Sequence, residues 1–311
     1  MIGTSKLTVY GLAIPFFTLM PITSAFAMQL AYAQVNINTN HSTTTSNVRD
    51  MQNDISLITN ILAKNLESHI QKAGAILEIT SKLPQVRDIP FAPLLNQTLA
   101  TLHGIPQYLD IEKRQVAKNI IDSNSDLYEI FFIMPNGDMY FEEPYSEQQL
   151  YIESNLAFRD YFQGAIRTND TYLGNVITDF GSANASGVRE AVIAIPVYSL
   201  EDNSTIVGLW NGGIDFDILN KELQSLNFTS LDGNIRVVYV DSNGQKVADS
   251  DINKSATPES FANLKSFKNA ISGQASSTDD TVNNAEMLIT YQPVNLFNNT
   301  WAVLLMQQPQ P

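Results

Sequence analysis

The sequence predicts an α+β fold in which one long N-terminal helix supports two modules, each built on an antiparallel sheet. Apolar residues recur at three- and four-residue steps through the region 49–86, as they do along one face of a helix. Downstream, an Asn-Gly turn between two apolar runs occurs twice, in 129–143 and in 235–250, and similar segments follow each turn. Clustered strands beside a few helices are typical of α+β proteins.

The N-terminal region 1–33 has the features of a segment that directs export. A lysine precedes the apolar run Leu7–Met20, and Ala-Phe-Ala at 25–27 has the small-residue spacing that a signal peptidase cleaves. Because the segment has no charge after that lysine, it is also long enough to remain as a membrane anchor. Both interpretations predict a secreted or membrane-anchored protein on the extracellular or periplasmic side. Residues 34–48, rich in Asn, Thr and Ser, are predicted to be a flexible tether.

The region 49–86 is predicted to form one helix of about 35 residues and about 50 Å. We expect it to end before Pro84, because proline disfavours helical backbone in the residue before it. The apolar stripe is too long for one module to cover, so we expect the helix to run along both. A coiled-coil stem between two chains is the alternative. The stripe consists of Ile55, Ile58, Leu62, Leu66, Ile70, Ala73, Ile76, Ile79 and Leu83.

The two modules are predicted from features that repeat in the same order. Each begins with a hairpin, whose turn is Asn136-Gly137 in the first module and Asn243-Gly244 in the second. A helical Phe-x-x-Ala-Ile follows, then an apolar strand with Pro-Val, then a last apolar strand with a tryptophan. These elements are Phe162–Ile166, Pro196-Val197 and Trp210 in the first module, and Phe267–Ile271, Pro293-Val294 and Trp301 in the second. The order predicts curved sheets of five or six strands with helices on one face.

The segment 154–166, SNLAFRDYFQGAI, places an arginine among aromatic residues soon after the first hairpin. Together with the AIPV strand and GGID at 212–215, it resembles the double Cache family of extracellular sensor domains, found in chemoreceptors and sensor histidine kinases. The resemblance covers residues 45–307. In that family a long N-terminal helix supports two PAS-like modules. The resemblance therefore implies a membrane-distal, ligand-binding module at 87–225 and a membrane-proximal module at 226–307.

The resemblance also implies a binding site. Family members that bind amino acids hold the ligand carboxylate with an arginine and aromatic residues, and its ammonium with acidic side chains. Arg159 falls on the motif arginine, whereas Ser154 stands where the motif has a tyrosine, for which Tyr151 would have to substitute. A guanidinium suits a carboxylate because it donates two parallel hydrogen bonds, although a structural pair with Asp160 is the alternative. The predicted ligand-binding residues are Arg159, Tyr161, Phe162, Asp179, Trp210 and Asp215, whereas Asp217 is predicted to cap the next helix.

Composition argues against several other functions. The formal net charge of −14, without a cluster of Lys or Arg, argues against nucleic-acid binding. Because the chain has no cysteine, disulfides and thiol catalysis are excluded. His41, His69 and His103 lack the spacing of a metal site or catalytic triad, so we expect no metal, no cofactor and no enzyme activity. The adjacent Glu142 and Glu143 are interpreted as solvated loop charges.

We therefore expect an extracytoplasmic domain that binds a small polar metabolite, an amino acid or another carboxylate or amine. By the resemblance, it relays the binding event to a membrane signalling partner, as in chemotaxis. A homodimer through the long helix is a further expectation. The alternative is a ligand-free structural or adhesive cell-surface protein with a Cache-like fold.

Overall fold

The computed structural model describes residues 47–178, 189–226 and 234–308. The predicted export segment 1–33 and most of the predicted tether lie outside the described residues. Within the described part of the chain, no helix combines the length and the apolarity that a membrane span requires. The predicted fold class is confirmed, because a long N-terminal helix is followed by two antiparallel five-stranded sheets.

The long helix, α1, spans Asn47–Thr80 and has 34 residues. Leu83 has extended backbone, and Pro84 then opens a short helix, α2, Pro84–Arg87. Proline is accepted there because the first N–H of a helix has no partner within the helix. Ile79 was wrongly assigned to the apolar stripe and is 67% exposed, because the stripe continues from Ala73 to Leu77 at a four-residue step. The buried stripe contains Ile55, Ile58, Leu62, Leu66, Ile70, Ala73 and Leu77.

The first sheet has the strand order β2-β1-β7-β6-β3, and β4 pairs with β5 separately. These strands are β1 Leu127–Ile133, β2 Met139–Glu143, β3 Tyr172–Leu173, β4 Ile177–Thr178, β5 Arg189–Glu190, β6 Val192–Tyr198 and β7 Ile206–Ile214. A 3₁₀ turn, Ala92–Leu94, comes before the helices that accompany this sheet. The helices are α3 Leu95–Leu102, α4 Ile111–Ser123, α5 Tyr145–Gln148, α6 Asp160–Thr168 and α7 Phe216–Ser225.

The second sheet has the strand order β10-β11-β12-β8-β9. Its strands are β8 Ile235–Val240, β9 Lys246–Asp249, β10 Ser276–Val282, β11 Ala285–Leu296 and β12 Asn299–Gln307. The helix α8, Lys265–Ile271, packs on β10, β11 and β12. It contains the second Phe-x-x-Ala-Ile sequence, just as α6 contains the first.

Both predicted hairpins are present, between β1 and β2 and between β8 and β9. Gly137 has φ +94 and Gly244 has φ +81, a backbone region in which glycine meets little steric resistance. In each hairpin the pairing register also shifts near the turn, at Phe132/Ile133 and at Tyr239/Val240. Such a shift takes up an extra residue and increases the local twist of the strands.

The helix α1 packs against both sheets. Its buried stripe forms one continuous core with Trp210 on β7 and Trp301 on β12. Both tryptophans lie on the central strand of their sheet. Trp210 pairs with Ile195, just before Pro196, and Trp301 pairs with Val294, just after Pro293. The prediction that the helix runs along both halves is confirmed. Its apolar stripe is covered within the chain, and the homodimer remains a prediction.

Polar contacts also connect the two sheets. The Asp241 carboxylate accepts a hydrogen bond from the Val176 backbone N–H at 2.8 Å. Arg189 on β5 donates to the carbonyl oxygen of Lys246 at 2.5 Å and to that of Ser255 at 2.7 Å. Residues next to β4 and on β5 are therefore held by the second sheet.

An ionic cluster surrounds His69, on the solvent side of the apolar stripe of α1. Its Nδ1 lies 2.6 Å from Asp126 Oδ1, and its Nε2 lies 2.9 Å from Glu222 Oε2 on α7. Burial lowers the pKa of His69, but the hydrogen bonds and charges of the two carboxylates outweigh it and raise the pKa to about 9. His69 is therefore an imidazolium at neutral pH and links α1 to α7.

We expect the free energy of unfolding to fall by about 3 kcal/mol as pH rises from His69's unfolded pKa to its folded one. Since the folded pKa is raised, this stabilisation is complete below pH 6.5 and is lost as pH approaches 9. Urea unfolding of wild type and His69→Gln at pH 6, 7, 8 and 9 measures it. The difference between the proteins isolates His69, because burial lowers the pKa of Lys113 to about 8 and acts with the opposite sign above that pH. A difference that stays constant with pH would contradict the prediction.

Candidate functional site

The two faces of the first sheet have different neighbours. Along β1, Ile130 and Phe132 belong to the core formed with α1, whereas Phe131 and Ile133 belong to a second core formed with α6. Side chains alternate along a strand, so Glu129 shares the face of Phe131. We call this face the α6 face.

Three glutamates are buried in this region. Glu129 on β1 is 2% exposed, Glu142 on β2 is 0% and Glu190 on β5 is 4%. Glu142 pairs with Phe131 across the sheet, which places it on the α6 face too. We call these three residues the glutamate cluster. Burial, followed by the charges of Glu190 and Glu142, raises the pKa of Glu129 well above its usual value, and hydrogen bonds to the same two groups add to the effect. The cluster therefore holds a proton at pH values where an exposed glutamate is ionised.

The glycine opposite Glu129 leaves room for the glutamate side chain. Gly213 on β7 pairs with Glu129, and a Cβ atom added at Gly213 would lie 2.6 Å from Glu129 Cγ and 2.8 Å from its Oε1. The glutamate side chain therefore lies across the bare backbone of β7. A glycine within a strand often marks such a close approach.

Tyrosine hydroxyls accompany the cluster. Tyr128 donates a hydrogen bond to Glu190, and the register shift between Leu127 and Glu129 makes Tyr128 an extra residue in the pairing of β1 with β7. Such a bulge redirects a side chain. Burial, and then the charges of the glutamate cluster, raise the pKa of Tyr128 and Tyr151 well above the usual value, so both stay protonated.

The start of α6 carries the predicted arginine and aromatics. Arg159 precedes the helix with extended backbone, is 8% exposed, and its guanidinium lies 4.8 Å from the ring centre of Phe158. Tyr161 contacts Phe131 edge-on, with ring centres 6.2 Å apart, and Phe162 lies in the same core. Burial and the charge of Glu190 raise the pKa of Tyr161, whereas Arg159 lowers it. The positive group and the glutamate cluster thus act on the same hydroxyl.

The sequence matches the Cache domain family model over residues 39–310. This chain belongs to the Cache domain family. The observed architecture agrees with that membership, since it has the long helix and two sheets expected from the resemblance. A search of curated proteins gave no match.

Solved structures similar to this Cache domain include sensor and ligand-binding domains of chemoreceptors. The ligand-binding domain of the Pseudomonas fluorescens chemoreceptor CtaA with L-isoleucine is 15% identical, with a TM-score of 0.55 over 85% of this chain and 96% of that chain. The ligand-binding domain of the Pseudomonas aeruginosa PAO1 amino acid chemoreceptor PctB with L-Arg is 14% identical, with a TM-score of 0.57 over 83% of this chain and 88% of that chain. The periplasmic sensory domain of the Campylobacter jejuni chemoreceptor Tlp1 is 13% identical, with a TM-score of 0.58 over 84% and 95%. At these identities the similarity shows the fold.

The other predicted site residues of this Cache domain lie elsewhere. Trp210 faces α1, and its Nε1 donates to Thr80 Oγ1 at 3.1 Å, so the structure places it on the sheet face opposite Arg159. Asp215 caps α7 by accepting a hydrogen bond from the Asp217 backbone N–H at 2.8 Å. The capping role predicted for Asp217 is therefore wrong, because Asp217 is already inside the helix. Asp179 lies outside the described residues.

Sequence reasoning missed the glutamate cluster. Glu142 was interpreted as a solvated loop charge, which is wrong because it is fully buried on β2. Glu143, the next residue, does lie on the other face and pairs with Arg114 at 2.7 Å. A charged residue inside an otherwise apolar strand, as in LYEIFFI and MYFEE, was the available signal. Among the described residues, no group of three or more His, Asp and Glu is arranged to hold a metal ion.

Proposed function

We propose that this Cache domain senses a small polar metabolite outside the cytoplasm, an amino acid or another carboxylate or amine, and relays binding to a partner protein. The proposed site is the α6 face of the first sheet, within a ligand-binding module at 87–225. The observation that carries the proposal is that buried Arg159 and the buried glutamate cluster act with opposite signs on one hydroxyl, that of Tyr161, whose pKa Arg159 lowers and the glutamates raise. One side of this site suits a carboxylate, and the other suits an ammonium group.

Each proposed role rests on a specific contact chemistry. The planar guanidinium of Arg159 can donate two hydrogen bonds to a carboxylate, with Tyr161 and Phe162 as its buried aromatic neighbours. Glu190 is a more suitable ammonium partner than Asp215, because the Asp215 carboxylate already caps α7. The similar solved structures with L-isoleucine and L-Arg support a ligand of this class.

The proposed relay is supported by strand β5. Glu190 belongs to the glutamate cluster, and its neighbour Arg189 donates hydrogen bonds to the carbonyl oxygens of Lys246 and Ser255 beside the second sheet. A ligand that moves Glu190 would therefore also move a side chain anchored in the other half of the protein. The membrane partner that would receive this movement is part of the proposal.

A thermal-shift screen of the full chain with amino acids, organic acids and amines tests the binding function. We expect at least one compound to raise the melting temperature. Arg159→Ala and Arg159→Lys should each weaken the binding of a carboxylate compound by about 10- to 100-fold, because neither retains the bidentate donor. Arg167→Ala is the matched control, since Arg167 is exposed on the same helix.

Two outcomes would contradict the proposal. If no compound stabilises the wild-type protein, the ligand-free structural or adhesive alternative is favoured. If a carboxylate compound stabilises wild type and both Arg159 variants equally, its site lies elsewhere on the protein.

A further inference from the structure

The described part of the α6 face has more negative than positive groups. Arg159 is its buried cation, whereas the glutamate cluster supplies three carboxyl groups. Burial and the charges of Glu190 and Glu142 raise the pKa of Glu129, so the cluster answers part of this excess by holding a proton. Buried charges need partners, because transfer from water to a protein interior is costly for an unpaired ion.

Two buried acceptor oxygen atoms on the α6 face have no hydrogen-bond partner within the described residues. They are Oε1 of Glu129 and Oδ1 of Asn211, whose side chains are 2% and 0% exposed. Asn211 lies on β7 opposite Phe131, so it shares the α6 face and is the diagonal neighbour of Glu129, which pairs with Gly213. The Asn211 amide, which is not part of the glutamate cluster, thus adds a second acceptor without a partner on the α6 face.

The orientation of the Asn211 amide follows from its contacts. Its Nδ2 donates to the carbonyl oxygens of Leu209 at 2.9 Å and Phe131 at 3.2 Å. Both partners can only accept, so the amide nitrogen must face them and Oδ1 must face away. The two oxygen atoms without a partner are therefore both hydrogen-bond acceptors. A ligand group that carries only donors would satisfy them.

We propose that Glu129, Glu142 and Asn211 form a cation subsite that selects ligands carrying more positive than negative charge, such as diamines, guanidines and basic amino acids. An ammonium group brings three donors and a guanidinium five, without any acceptor. This inference rests on the proposed function, because it names the ligand class of the same site. A ligand that fills this subsite would carry a second cationic group, in addition to the ammonium group that Glu190 is proposed to bind.

The subsite also predicts that ligand binding releases a proton. A cation placed against Glu129 favours its ionised form, so the proton held by the cluster leaves when the ligand arrives. Affinity for a cation should therefore rise as pH rises, whereas a neutral ligand would release no proton. The titratable and charged groups that act on Glu129 or on its neighbours here are Tyr128, Glu142, Tyr151, Arg159, Tyr161 and Glu190.

The test compares cationic compounds with analogues of similar shape that carry one positive charge fewer, using the full chain. The probes are diamines of three to six carbons, L-lysine, L-arginine and agmatine, each paired with a monoamine or with L-norleucine. We expect a cationic member to bind about 10- to 100-fold more tightly than its analogue. Calorimetry in phosphate and in Tris, which differ in ionisation enthalpy, should show proton release.

Variants assign the effect to the subsite. Glu129→Gln and Asn211→Leu should each remove most of the preference for the cationic member, and Glu129→Gln should also abolish proton release. Glu153→Gln is the control, because it removes an exposed carboxylate two residues from Tyr151. Circular dichroism and melting temperature establish that each variant is folded.

The outcomes separate this inference from the proposed function. If neutral amino acids or organic acids bind through Arg159 and the cationic probes bind no better, the cation subsite is overturned and the sensing function stands. Failure of every cationic probe to bind likewise overturns it. A preference for cations that Glu129→Gln leaves intact would place their selection elsewhere.

Discussion

Replacing Trp210 by alanine should lower the free energy of unfolding by about 3 to 5 kcal/mol and leave the ligand preference of the folded protein unchanged. Trp210 is fully buried among the residues that join the first sheet to α1. Removing its indole leaves a cavity at the junction of helix and sheet and deprives Thr80 of a hydrogen-bond donor. The proposed site lies on the opposite face of the sheet.

Urea unfolding measures the loss of stability, and a thermal-shift assay measures the response to a ligand. Trp210→Phe is the graded control, because it keeps an aromatic ring and removes only the contact with Thr80 and part of the volume. A Trp210→Ala protein that keeps its stability but loses the ligand response would instead make Trp210 part of the binding site, as the sequence predicted.

A second large effect is expected from Asp249→Ala, which should cost about 3 to 5 kcal/mol because it removes one partner of a buried ionic network. Asp249 is fully buried and lies 2.6 Å from Arg236 Nη2 and 3.1 Å from Lys246 Nζ. Burial alone would raise the pKa of Asp249, but these neighbours outweigh it and lower the pKa. Without the carboxylate, buried Lys246 and largely buried Arg236 keep Glu259 as their one acidic partner among the described residues.

Glu259→Gln is the matched control in the same network. Its side chain is 21% exposed, so solvent screens its charge and we expect a loss of about 1 kcal/mol. Chemical denaturation at pH 7 compares the two variants. Equal losses for both variants would show that burial of Asp249 does not govern the energetics of this network.

Local patterns explain why much of the fold was predictable. Each Asn-Gly turn places its glycine, Gly137 or Gly244, where φ is positive. The Asn-Gly pair between two apolar runs can be recognised from a few residues of sequence, so both hairpins were predictable. The stripe of α1 is equally legible, because a period of 3.6 residues repeats over many turns. The prediction was wrong at Ile79, which lies close to the end of the helix. Few residues follow it there, so the sequence shows less clearly which residues belong to the buried face.

The face of a strand was harder to predict than its existence. In β7 the sequence IVGLWNGGI is buried along most of its length, so no polar alternation shows which side meets α1. Trp210 was therefore assigned to the site, although Asn211, the next residue, occupies the α6 face. The internal repeat contained a clue, because Trp301 lies on the corresponding strand of the second sheet and belongs to the same core with α1.

The glutamate cluster was not predictable from spacing. Glu129, Glu142 and Glu190 come from three strands. The register of β1 with β2 makes Glu142 the diagonal neighbour of Glu129, and a hydrogen bond from Tyr128 joins Glu190 to them. The arginine beside them was found because the resemblance to a known family marks its position. Residue type and local pattern identify a candidate residue. Which other charged groups surround it depends on the tertiary structure.

The close approach of Glu129 to Gly213 sets a rule for variation among relatives. Any side chain at position 213 would collide with the glutamate in its present conformation, where the gap to Cγ is 2.6 Å. A homologue with glutamate at 129 should therefore keep glycine at 213, whereas a homologue with small residues at both 128 and 129 is free to change it, because the ring of Tyr128 also lies within 2.8 Å of the added Cβ. The two positions form a one-way constraint, so an evolving lineage must have the glycine before it can acquire the acid.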